Sequence, residues 1–402
     1  MNEKPTLLSG LDVLNRDENM QKTIKGTVAY LAHNSSVTAE YEHGVHTLMR
    51  IFQDRFVKIF GPQHGFYVGE QDNMIETEHS THSYFQIPVY SLYSETRIPT
   101  DEMLEGVDNI LIDLQDIGCR DYTYIYTVSH LLEKCAGKDI KVLILDRPNP
   151  LNGSQLEGNI LDEKFASFIG RHPIPVRHAL TMGEFCKMHQ KFWSNRNRCN
   201  LQVIKMEGWK RDLYLDEYIY PFVPPSPNIP TIESCLTFPA GVLFEGTNLS
   251  EGRGTTRPLE CLGHPKIKPD EFIYDVLNPR LKKDGIQGIT LTPGCFKPTF
   301  NKFANETIGA IYFHVTNRQE FNSWRFGLTL LQESIKYLGD HFAWKEPPYE
   351  YESEKMPIDI ICGTDKVRFW AESIMGNSFF DEMELDLPLF DSQRDKFLLY
   401  FE

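Results

Sequence analysis

Five short apolar runs, each cut off by polar residues, alternate with helical stretches through the first half of the chain. Lys25 to Ala32 ends at His33-Asn34-Ser35-Ser36, and Phe56 to Phe60 ends at Gly61-Pro62-Gln63-His64-Gly65. Ile87 to Leu92 leads into Tyr93-Ser94-Glu95-Thr96-Arg97, Asn109 to Leu114 into Gln115-Asp116, and Lys141 to Leu145 into Asp146-Arg147-Pro148-Asn149. Segments 46–53, 100–106, 123–138 and 181–193 read as helices, and Leu201 to Met206 as a sixth strand. Runs that are apolar throughout suit strands covered on both faces, and their alternation with helices yields βαβ units with right-handed crossovers. The expectation is an α/β chain with a Rossmann-like, mostly parallel sheet domain.

In such a sheet, ligands bind outside the carboxyl ends of the strands. Those ends bring Asn34, Gln63, His64, Glu95, Asp113, Gln115, Asp116, Asp146, Arg147 and Asn149 to one edge. Loops need polar residues as caps and turns too, so part of this set is structural. The first strand is not followed by GxGxxG, and no P-loop occurs, so neither NAD nor ATP is expected. Nothing in the pattern calls for a cofactor or a metal.

Composition narrows the partners. With 56 acidic against 41 basic residues, the formal charge is −15. That disfavours nucleic acid and anionic membrane surfaces, and no stretch approaches the roughly 20 apolar residues that span a bilayer. The eight cysteines are scattered, with no CxxC pair, as in reduced proteins. No signal-peptide core opens the sequence, so a cytoplasmic location is expected unless an export signal was removed.

Prolines crowd into Pro221 to Thr231, a density compatible with neither helix nor central strand. This segment sets the expected boundary between an N-terminal domain, 1–222, and a smaller α+β C-terminal domain, 223–402. Beyond it, the glycine-rich loop from Phe244 to Pro258 carries Glu245, Asn248, Glu251, Arg253 and Arg257. Glycines permit close backbone approach to a ligand, and arginines can fork onto a carboxylate.

Several segments together resemble the exo-β-N-acetylmuramidase NamZ family, long catalogued as a domain of unknown function. They are Gly61 to Phe66, Pro88 to Arg97, Asp113 to Gly118, Tyr122-Thr123-Tyr124, Leu145 to Gly153, Val223 to Asn228 and the Glu245 to Pro258 loop. The resemblance implies a Rossmann-like domain, a smaller second domain and a cleft between them. It also implies release of terminal N-acetylmuramic acid from the non-reducing end of peptidoglycan fragments. One position departs from the family pattern: Gln63 stands where members commonly carry the Glu of a Glu-His-Gly motif, and an amide cannot act as a general acid.

Glycosidic cleavage needs an acid near the leaving oxygen and a base or nucleophile opposite, unless the sugar's own 2-acetamido group attacks. Glu95 and Glu70 are the expected carboxyls, with His64 positioning substrate or tuning an acid. The lactyl carboxylate of muramic acid suits a guanidinium, which nominates Arg253 or Arg257, with Arg147 in reserve. Three rivals stand beside this reading. One is a glycan-binding protein that has lost its acid at Gln63. Another is a metal-dependent hydrolase using His33, His43/His46, His79/His82 or Asp113/Asp116, none at a spacing such as HExxH. A serine hydrolase would need a GxSxG elbow, which is lacking.

Overall fold

The structure is a computed structural model and describes residues 4–71, 75–194, 198–373 and 378–401. Its main sheet has seven strands: β1 (Val28–Ala32), β2 (Phe56–Gly61), β3 (Ser80–Thr81), β4 (Pro88–Ser91), β5 (Asn109–Asp113), β6 (Lys141–Leu145) and, later in the chain, β9 (Asn200–Ile204). They lie in the order β3-β4-β2-β1-β5-β6-β9, all parallel except the short edge strand β3. Without β3, the chain order across the sheet is 3-2-1-4-5-6, the doubly wound arrangement. Val28 to Ala32 and Asn109 to Asp113 are buried throughout, because helices cover both faces of the central strands.

The expected helices form at Gly44–Phe52, Asp101–Leu104, Tyr124–Cys135 and Met182–Phe192. Thr181 caps the last of these in a box with Glu184, closing two backbone donors that would otherwise be orphaned. Two small sheets complete the fold. One pairs β7 (Glu157–Ile160) with β8 (Pro175–Arg177), and the other is antiparallel, in the order β10 (Cys261–His264), β12 (Ile308–Val315), β11 (Ile289–Phe296). This smaller α+β half also contains the helix Ser323–Leu338. No helix among the described residues is long and apolar enough to cross a membrane.

The strand order reverses between β1 and β5, where a doubly wound sheet opens a crevice. Here the chain fills that crevice itself. His33 is buried, its Nε2 accepting the Gln115 N–H at 3.0 Å and its Nδ1 donating to the Pro225 carbonyl at 3.3 Å. Tyr124 donates its hydroxyl to the same carbonyl at 2.7 Å, and the Ser35 hydroxyl donates to Val223 O at 2.8 Å. The proline-rich segment is thus strapped onto the sheet. The halves are tied again at the far end, where Arg394 donates to Gly153 O and Ala179 O, and the Tyr400 hydroxyl to Asp146.

Candidate active site

Displaced from the filled crevice, a cavity lies between the β2 side of the sheet edge and the second half of the chain. The turn after β2 contributes Gln63 and His64, and the segment leading into helix Tyr124–Cys135 contributes Asp121 to Thr123. The proline-rich segment adds Ser226 and Asn228, and the glycine-rich loop adds Glu245 and Arg253. Tyr349 and Glu350 come from a later hairpin.

Three buried carboxyls share this lining, and their surroundings drive them apart. Burial alone would push Glu245 up. Arg253, bonded to its Oε1, and the Tyr349 hydroxyl, which donates to Oε2 at 2.6 Å, outweigh it and hold Glu245 below the usual carboxylate range. Burial pushes Asp121 up to about 7 against the pull of Arg120. Burial also pushes Glu350 up to about 7, helped by the charge of Glu245 and opposed by Arg97. Such separation produces one ionised and two protonatable carboxyls near neutral pH.

Burial lowers His64 to about 4, so the ring is neutral. Its Nδ1–H donates to the Glu70 carbonyl at 2.7 Å, which leaves Nε2 as an acceptor. Gln63 is held by Thr123, whose hydroxyl donates to Oε1 at 2.6 Å. Two buried acceptors in the lining, Asp121 Oδ1 and Asn228 Oδ1, have no partner within the protein. Buried polar atoms are rarely left so, and hydroxyl or amide donors of a ligand would satisfy both.

The structure therefore brings Gln63, His64, Glu245 and Arg253 to one cavity. Glu251 supports them from behind, buried and paired with Arg253 and Lys302. Other candidates lie elsewhere. Glu95 is exposed and lines a neighbouring groove, and Glu70 contributes its main-chain carbonyl to His64. Arg257 pairs with Glu260, with 38% of its side chain exposed. Asn248 spans His341 O and Ala343 N, and Asn34 sits in an exposed turn.

The strand-end acids form scaffolding. Arg147 grips Asp113 with two guanidinium nitrogens, and Tyr30 donates to the same carboxylate at 2.5 Å. Asp146 accepts from Thr181, the Gly183 N–H and Tyr400. Asp116 accepts the Gly118 N–H, Gln115 donates to Asp116 O and Pro148 O, and Asn149 donates to Leu180 O. The histidines weighed as metal ligands are engaged locally: His43 Nε2 bonds His33 O, while His79 and His82 accept the Ser91 and Phe85 N–H groups. Among the described residues, no three His, Cys, Asp or Glu side chains gather as a metal site.

Sequence reasoning passed over Asp121 and Glu350. Asp121 directly precedes the Tyr122-Thr123-Tyr124 segment and could have been noticed there. Glu350 lies in an irregular stretch, Pro347-Pro348-Tyr349-Glu350-Tyr351, whose pattern carries no periodic signal.

Comparison with known proteins adds independent findings. The model described as exo-beta-N-acetylmuramidase NamZ, N-terminal, matches residues 28–233, and its C-terminal counterpart matches residues 236–400. A Bacillus subtilis (strain 168) protein named peptidoglycan beta-N-acetylmuramidase NamZ is 35% identical over 400 residues, 99% of this chain and 92% of that protein. Two crystal structures of DUF1343 family proteins from Bacteroides fragilis NCTC 9343 are similar, with TM-scores of 0.85 and 0.75. Each is 26% identical and covers 98% of this chain and 99% of its own.

Proposed function

The chain belongs to the exo-β-N-acetylmuramidase NamZ family, and on that premise we propose that it is a glycoside hydrolase releasing N-acetylmuramic acid from the non-reducing end of peptidoglycan fragments. The terminal sugar occupies the cavity between the sheet edge and the second half. The observation that carries this reading is the set of three buried carboxyls, held in different ionisation states around one cavity.

Each role follows from chemistry. Cleavage requires a proton donor at the leaving oxygen, which a carboxyl with a raised pKa supplies. Asp121, with its unpartnered Oδ1, accepts the N–H of the 2-acetamido group and orients that group towards its own anomeric carbon. Glu245 supplies fixed negative charge where positive charge develops on the sugar ring. Neutral His64 accepts a sugar hydroxyl, and Arg253 meets the lactyl carboxylate. Gln63 binds rather than protonates.

The purified protein, incubated with a disaccharide carrying N-acetylmuramic acid at its non-reducing end, should release the free monosaccharide, read by mass spectrometry. The same glycan capped by N-acetylglucosamine should resist. No release from the first substrate, or equal release from both, rejects the reading.

A further inference from the structure

The segment from Tyr349 to Glu352 is a tight hairpin, its end residues exchanging two backbone hydrogen bonds of 2.9 Å each. Its two central residues, Glu350 and Tyr351, have φ of 45° and 67°. Both lie in the left-handed region that glycine and asparagine normally occupy in such turns. Holding two bulky residues there costs of order 1–3 kcal/mol each, and such strain persists where the surroundings demand a particular placement.

That placement is graded along the hairpin. Tyr349 reaches into the cavity and donates to Glu245. Tyr351 faces the other way, over the Arg97 guanidinium at 3.8 Å from ring centroid to cation, with Tyr93 near the same guanidinium at 4.7 Å. Arg97, Tyr351, Phe168, Arg171 and Glu95 line a separate groove that is more open to solvent than the cavity. Glu350, buried between them, lines both spaces, and no other described residue does.

We propose that this hairpin marks the plane of bond cleavage, with the leaving sugar in the groove and Glu350 as the acid that protonates the glycosidic oxygen between the two spaces. The assignment rests on the function proposed above and moves the acid role from Glu95 to Glu350. In the reaction, the bond from the anomeric carbon to the glycosidic oxygen breaks. Its electron pair stays on that oxygen, which takes the Glu350 proton and departs as an alcohol. Water ultimately adds to the anomeric carbon, and the proton it sheds restores the carboxyl over the turnover. Burial supplies the raised pKa this needs, with Glu245, Arg97, Arg253 and Tyr93 as the surrounding charged and titratable groups. The half-exposed ring of Tyr351 offers the leaving sugar a stacking surface.

The test compares two leaving groups. p-Nitrophenol departs without protonation, whereas a sugar alcohol does not. Glu350→Gln should lower kcat/KM on the muramic acid–glucosamine disaccharide by about 10²–10⁴-fold and affect the p-nitrophenyl muramic acid glycoside far less. The retained p-nitrophenyl activity reports a folded site. Tyr351→Ala should raise KM several-fold for the disaccharide while sparing kcat. Wild-type protein supplies a further readout: its rate should decline above about pH 7 for the disaccharide and not for the p-nitrophenyl glycoside. Equal losses on both substrates in Glu350→Gln, or identical alkaline limbs in the wild type, overturn the assignment while the function stands. Wild-type protein that turns over neither substrate overturns both.

Discussion

Two acid-rich regions lie near the same sheet edge and behave differently. Beneath β1, β5 and β6, every oxygen of Asp113 and Asp146 is taken up by hydrogen bonds, with Arg147, Tyr30, Thr181 and Tyr400 among the donors. A shell further out, Asp121 and Asn228 leave buried acceptors open, and Glu350 is held on a strained turn. Both regions are buried, polar and charged. The acids Asp113 and Asp146 are spent on the protein's own donors, whereas the cavity keeps buried acceptors that a ligand's donors can meet.

The sharpest test of that contrast is Asp121→Asn. Turnover should fall by about 10²–10⁴-fold, yet stability should rise. A carboxyl whose folded pKa, about 7, lies above its unfolded value loses stability as pH climbs between the two. At pH 8 that cost is fully present, and the amide removes it, a gain of up to roughly 4 kcal/mol; below pH 4 the gain should vanish. Denaturant midpoints at the two pH values measure it, and destabilisation at pH 8 would place Asp121 with the scaffold.

Arg147→Met should show the opposite signature. It strands the buried Asp113 charge and should cost about 3–5 kcal/mol by chemical denaturation, with turnover per folded molecule nearly unchanged. Normal stability with lost turnover would move Arg147 into the site.

A smaller effect separates the two loop arginines. Arg253→Lys should narrow the preference for muramic acid over glucosamine glycosides by roughly 10–100-fold, as expected for one charge-assisted contact. Arg257→Lys, which alters a pair with Glu260 outside the cavity, should leave the ratio unchanged. A shift with Arg257 alone would reverse the assignment.

The smallest effect concerns a cluster remote from the chemistry. Burial lowers His172 to about 2, where it stacks on Trp193. The folded state favours its neutral form, so stability is full above about pH 6.5 and lost as pH falls below it. His172→Phe should flatten the stability–pH slope between pH 6 and 4 by up to one proton, read from midpoints at several pH values. An unaltered slope would show that His172 titrates alike folded and unfolded.

How much was legible beforehand follows the range of the forces involved. Apolar runs of five residues cut by polar clusters are local signals, so the parallel sheet, its helices and the edge bearing Gln63 and His64 could be read directly. Glu95 illustrates the limit. It ends a strand in the expected way, yet nothing local shows that its side chain faces solvent. Asp146 and Arg147 looked as available as Gln63, and only their distant partners, among them Tyr400 and Tyr220, show that they are spent on structure.

By itself, then, the order of residues determined the layered α/β sheet, the placement of polar groups at one edge and the likeness to a family, because each depends on neighbours along the chain. Which carboxyls lose their water, and which remain short of a hydrogen-bond partner, was decided only when segments more than a hundred residues apart closed one cavity. Ionisation depends on burial and on charges a few ångströms away in space, and Asp121, Glu245 and Glu350 acquire both only in the folded chain.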